Sequence, residues 1–187
     1  GWRLDIISES KFRQMEDEAL GALREIEGIK DEVAKAMYRL GFRALEEVLD
    51  ASDEELISID GIGTSEGVAE LRGAAERGME TQRKSRLAEL STRAEPPTER
   101  DKLRVLRNVG PRTLQLLEDA NYRSVDELAR EDPDKLALRA QLTSKKAKMV
   151  HEAAVDFLSR EAGELAATRR RVESESTAQA VTETGES

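Results

Sequence analysis

The chain has 187 residues, 38% of them hydrophobic and only 3% aromatic, which allows one or two small domains with cores of Leu, Ile, Val and Ala. Its 39 acidic and 30 basic side chains give a net charge of −9, which disfavours non-specific wrapping of nucleic acid and favours a protein partner with a basic face. The lack of cysteine excludes disulfides, thiolate zinc sites and cysteine nucleophiles and fits a cytoplasmic protein, and no apolar run reaches membrane-spanning length.

The chain opens on Gly1 rather than Met and reads as a piece of something larger. Trp2, Leu4 and Ile6 alternate with polar residues, which predicts one strand whose neighbours lie upstream. From 10 to 24, Phe12, Met15, Ala19, Leu20 and Leu23 recur at three- and four-residue steps and predict an amphipathic connector helix.

Residues 26–78 divide into short helices by their own punctuation. Gly28 turns into a helix near 31–40, Gly41 ends it, and Ser52 with Glu55 forms a capping box for the next piece. The inward set is Ile29, Val33, Met37, Leu40, Phe42, Leu45, Val48, Leu56, Ile59, Ile62, Val68 and Leu71. The stretch Ile59-Asp60-Gly61-Ile62-Gly63 fits the h-x-G-h-G turn of a helix-hairpin-helix motif: the glycines permit angles closed to other residues, and Ile59 and Ile62 plug the turn into the core. Such a turn either cradles a phosphate on amides at the start of its second helix, near Thr64, or simply packs two helices, and Asp60 and Glu66 favour packing.

The pattern returns 80 residues later without a gap. Ile26 aligns with Leu106, Ile29 with Val109, Met37 with Leu117, Phe42 with Tyr122, Leu45 with Val125, Val48 with Leu128, Leu56 with Leu136 and Ile62 with Leu142. The second copy keeps the first hairpin as Asn108-Val109-Gly110-Pro111, a capping box at Ser124 and Glu127, and a helix start at Asp132-Pro133. The expected fold is therefore all-α: two tandem five-helix, SAM-like helix-hairpin-helix domains, with one N-terminal strand and a disordered tail. The predicted boundaries are 1–25 for strand and connector, 26–80 for copy one, 81–104 for a helix extension and a linker with a hinge at Pro96-Pro97, 105–168 for copy two, and 169–187 for the tail.

Charge separates the copies. Over 26–80, acidic side chains outnumber basic ones fourteen to six, and Glu46, Glu47, Asp53, Glu54 and Glu55 are candidate protein-binding residues. Copy two is nearly balanced and gathers Lys145, Lys146 and Lys148 after Thr143 and Ser144, where amides and lysines could hold a phosphate or simply form a solvated basic face. His151 is the only histidine, no serine sits in a nucleophile motif, and the carboxylates lack a metal-ligand spacing, so neither an enzyme nor a cofactor is expected. Lys145 and Asp156 are too loosely placed for the lysine and aspartate of a hairpin-bearing DNA glycosylase.

The opening GWRLDI with Ser8 and an acidic helix resembles the last strand of the second KH domain of the NusA family of bacterial transcription factors and its exit into the C-terminal region. The stretch LGFRALEEVLDASDEELISIDGIGTSEGVAELRGAA resembles that family's acidic repeats, and ANYRSVDELAREDPDKL is a more remote copy. The resemblance implies a role in transcription elongation, termination and antitermination. It implies repeats that bind proteins, including the C-terminal domain of the RNA polymerase α subunit, and antitermination proteins as further partners. Nucleic acid would be met mainly through upstream domains absent from this sequence. The competing expectation is a tandem module that binds DNA or RNA backbone non-specifically.

Overall fold

A computed structural model of the chain describes residues 8–183, so the predicted strand over 1–7 lies outside the described residues. Helix α1 (Glu9–Arg24) starts at Ser8, whose hydroxyl accepts the Lys11 N–H, and turns Ala19, Leu20 and Leu23 inward. Helices α2 (Asp31–Arg39), α3 (Leu45–Asp50), α4 (Asp53–Ile57) and α5 (Ser65–Thr92) follow the predicted punctuation. They recur as α6 (Glu99–Arg104), α7 (Pro111–Asp119), α8 (Val125–Arg130), α9 (Pro133–Arg139) and α10 (Ser144–Asp156), with a π-helical turn Phe157–Glu161 and a last helix α11 (Ala162–Glu183). The described residues contain no strand.

The helix starts are local hydrogen-bond chemistry. Ser52 and Glu55 exchange bonds across the first turn of α4, and Ser124 and Glu127 do the same at α8, each cap contributing about 0.5–2 kcal/mol. Asp132 accepts the N–H groups of Asp134 and Lys135, while Pro133 occupies the first position of α9. The chain ends of α2 and α7 are equivalent. Gly41 and Asn121 both take positive φ (105° and 65°), and the next residues, Phe42 and Tyr122, donate back to Met37 and Leu117.

Two cores result, and the chain divides into units 1–79 and 80–187. The first core is built on Leu23, Ile26, Met37, Val48, Leu56, Ile59 and Ala75, and the second on Leu103, Leu117, Leu128, Leu136, Ala154 and Phe157. Leu40, predicted inside, is 54% exposed: it caps the end of α2, and the reversal at Gly41 sends Phe42 to the core in its place.

In the segment expected to be a helix extension and linker, α5 runs to Thr92 and the chain leaves helix around Pro96-Pro97 until α6 starts at Glu99. Leu90 is buried and Leu87 half-buried in the second core, and Arg83, also buried, donates from Nε to the Val105 carbonyl (2.7 Å) and pairs with Glu161. The segment expected to be a tail continues as helix to Glu183, because its Ala, Glu, Gln and Arg residues extend a helix already nucleated upstream. Among its described side chains none beyond Arg169 is buried.

Candidate functional site: the hairpins and their surfaces

Four turns carry the repeat, at Gly28, Gly61, Asn108 and Gln141, with φ of 83°, 97°, 62° and 54°. Where the residue is glycine in the first two, the backbone lies beyond the narrow left-handed region that side-chain-bearing residues tolerate; where it is an amide residue, φ falls inside it. In the Gly61 hairpin the Ile62 N–H donates to the Ile59 carbonyl (3.0 Å), which holds Ile59 fully inside and Ile62 half-buried. Gly63 (φ 57°) leads into α5, where the Thr64 N–H donates to Ile62 (2.7 Å) and its hydroxyl accepts from Gly67 (3.1 Å). Two of the amides that a phosphate would use are therefore already taken.

At the first hairpin of copy two, Val109 is buried and donates to the Leu106 carbonyl (3.4 Å), and Gly110 caps α7 without a side-chain acceptor. At the second, Thr143 spends its hydroxyl on the Lys146 N–H (3.1 Å), and Lys146 itself is buried. Of the candidate phosphate-binding residues, Thr143, Ser144 and Lys145 are exposed, as is the neighbouring Lys148.

Of the five carboxylates expected to form one protein-binding surface, Glu46 does not reach the surface, whereas Asp53, Glu54 and Glu55 stand exposed in succession on α4. Glu46 is 1% exposed and belongs to the interior of copy one. Glu47 turns back to accept the N–H groups of Arg43 and Ala44 at the start of α3. Asp53 pairs with Arg72 (2.8 Å), whose guanidinium also donates to the carbonyls of Leu49 and Ala51. Glu55 accepts from the backbone N–H and hydroxyl of Ser52, which hold its carboxyl below the usual range. Glu54 is exposed. The periodicity that names an acidic helix face does not separate a carboxylate enclosed by the core, Glu46, from those that face solvent.

The surface that the sequence reading missed lies between the two hairpins of copy one. Both hairpins, α2 and the outer side of α5 enclose an open groove of about 740 Å³. Its apolar lining includes Ile29, Val33, Ala36, Ile62 and Ala74, its α5 wall carries Gly67 and Gly73, and Glu27, Glu32, Asp60 and Glu70 stand on it beside Lys30, Arg39 and Arg77. A smaller cavity of about 640 Å³ in copy two is lined by Arg107, Asn108, Met149, Val155 and Arg160 among others. Arg107 there bridges Glu161 (3.0 Å) and Asp156 (3.7 Å), and Asp156 also pairs with Arg160.

His151 packs half-buried with Nδ1 3.1 Å from the Leu128 carbonyl oxygen. Among the described residues no group of three or more His, Cys, Asp or Glu is placed to hold a metal ion, and no helix is long and apolar enough to cross a membrane.

No curated protein and no solved structure matches this chain. A family model, the SAM-like helix-hairpin-helix tandem, matches residues 20–66 and 102–156, the two stretches that hold the four turns. Tandem hairpin domains of this kind are modules that bind nucleic acid or protein. The two matches together span more than half of the residues, and the chain belongs to the SAM-like helix-hairpin-helix tandem family.

Proposed function

We propose that this chain is the C-terminal regulatory and protein-interaction region of a NusA-type transcription elongation, termination and antitermination factor. In this reading copy one contacts RNA polymerase through the C-terminal domain of the α subunit. The observation that carries it is where copy one puts its charge. Asp31 and Glu32 fill the first turn of α2, Glu66 fills that of α5, and Asp60 stands exposed in the hairpin between the buried Ile59 and Gly61. A phosphate approaching either hairpin meets carboxylates, whereas a basic protein surface is attracted. The sequence resemblance over residues 1–80 supplies the identity of the partner.

Surface plasmon resonance with the full chain over the immobilised α domain, beside a gel shift with generic duplex DNA, tests the proposal. Reversing Glu32, Glu54 and Asp60 to Lys slows association about tenfold at low salt with little change in dissociation. Glu46→Lys serves as a contrast, because it unfolds copy one rather than altering its surface. Binding to DNA with none to the α domain overturns the proposal and promotes a backbone-binding module, for which exposed Lys145 and Lys148 at the start of α10 are the favourable feature.

A further inference from the structure

We infer that the groove between the hairpins of copy one is a docking site for a basic amphipathic helix of a partner protein, an inference that rests on the protein-interaction reading above. An all-helical domain with no strand among its described residues has no sheet edge to offer an extended peptide, whereas a helix laid in an apolar groove is a recognition mode open to it. The half-buried Ile29 and Ile62 leave apolar edges for such a helix, and the volume of about 740 Å³ lies within the range of ligand-burying clefts.

Gly73 points to close approach of another backbone. Three glycines lie along the α5 segment of copy one, and packing inside the unit explains two of them. A Cβ at Gly67 would lie 2.8 Å from the Ile62 carbonyl oxygen, and one at Gly78 would lie 2.8 Å from a methyl of Leu45. A Cβ at Gly73 would meet only Arg77 Nη1 at 3.5 Å, an ordinary contact, yet a glycine inside a helix costs about 0.5–1 kcal/mol relative to alanine. The bare stretch of helix faces the groove.

Charge sets the sign of the occupant. Four carboxylates line the groove, Glu27, Glu32, Asp60 and Glu70, against three cations, Lys30, Arg39 and Arg77, of which Arg77 is paired with Glu27 (3.5 Å), so that its net charge is negative by one. Around them copy one carries fourteen carboxylates to six cations. At the corresponding places copy two has Arg107 for Glu27, Ala140 for Asp60, Met149 for Ala69 and Ala153 for Gly73, which is less acidic and bulkier. The same fold thus offers the helix a seat in only one of its copies.

The decisive variant is Gly73→Leu, which projects a side chain into the groove, raises helix propensity and places its Cβ against no backbone atom. The probe is a short synthetic helix with alanine and leucine on one face and lysine on the other, against a version with glutamate in place of lysine. Fluorescence anisotropy with the full chain is expected to show binding of the lysine helix, at least tenfold weaker binding of the glutamate helix, and about tenfold or greater loss for Gly73→Leu. Gly163→Leu, in α11 with open space around it, is expected to leave binding unchanged. No binding of the lysine helix, equal binding of both helices, or binding indifferent to Gly73→Leu overturns the inference. Binding of the α domain without Gly73-sensitive binding of the lysine helix leaves the polymerase reading standing and refutes the groove; a Gly73-sensitive lysine helix with no α-domain binding does the reverse.

Discussion

Replacing Gly61 by alanine tests the turn on which copy one is built. The residue has φ 97°, outside the left-handed region that Asn108 and Gln141 occupy in copy two, so a side chain there costs about 1–2 kcal/mol in backbone conformation alone. The new Cβ would also lie 2.9 Å from Val33 Cγ2, and Val33 is buried in the core, so displacing it adds about 1–3 kcal/mol of overpacking. The sum, about 2–5 kcal/mol, comes to at least about a thirtyfold loss of protection from hydrogen exchange. Mass-spectrometric exchange on the full chain resolves the two units: amides around Met37, Val48 and Leu56 speed up, and those around Leu117 and Leu136 do not. Gly63→Asn is the control, because φ 57° suits asparagine and a Cβ there meets open space. Protection in Gly61→Ala reduced less than about threefold, or reduced equally in both units, would refute the reasoning.

Asp101 gives a pH signature. Its carboxyl is held at about 2, against an ordinary 3.8, first by the Arg93 guanidinium (2.7 Å) and then by the N–H and hydroxyl of Thr98 at the start of α6. Because the folded value is depressed, the stabilisation is fully present above pH 3.8 and is lost as the pH falls towards 2; Asp101→Asn should flatten the urea-midpoint profile of unit two in that window. Arg169 is 9% exposed and donates to the carbonyls of Leu90 and Arg93 (2.7 Å each) and Ala94 (3.3 Å), where α5 ends. Arg169→Ala should lower the stability of unit two by about 2–4 kcal/mol by orphaning those acceptors, with Arg169→Lys recovering only part, as read by chemical denaturation.

Sequence alone determined the features whose physics is local. A hydroxyl or carboxylate three residues before a helix amide, as at Ser52 with Glu55 and Ser124 with Glu127, closes the same bonds wherever the helix later packs. The 80-residue recurrence was equally legible, because aligned apolar positions such as Met37 and Leu117 must fill equivalent cores. Even the left-handed turns show in the sequence as glycines in copy one, although Gln141 in copy two gives no such sign. The tertiary structure decided what depends on partners distant in the chain. Glu46 and Glu54 look alike as acidic helix residues, yet one is enclosed by the core and the other faces water. Leu90 and Arg169 sit in stretches polar enough to read as linker and tail, yet Leu90 is buried in the second core, and Arg169 is buried because helix-end carbonyls 75 or more positions away accept its guanidinium. The groove of copy one is likewise a product of assembly: its two hairpins lie more than thirty residues apart in sequence, and only the folded unit brings both to line one surface with α2 and α5.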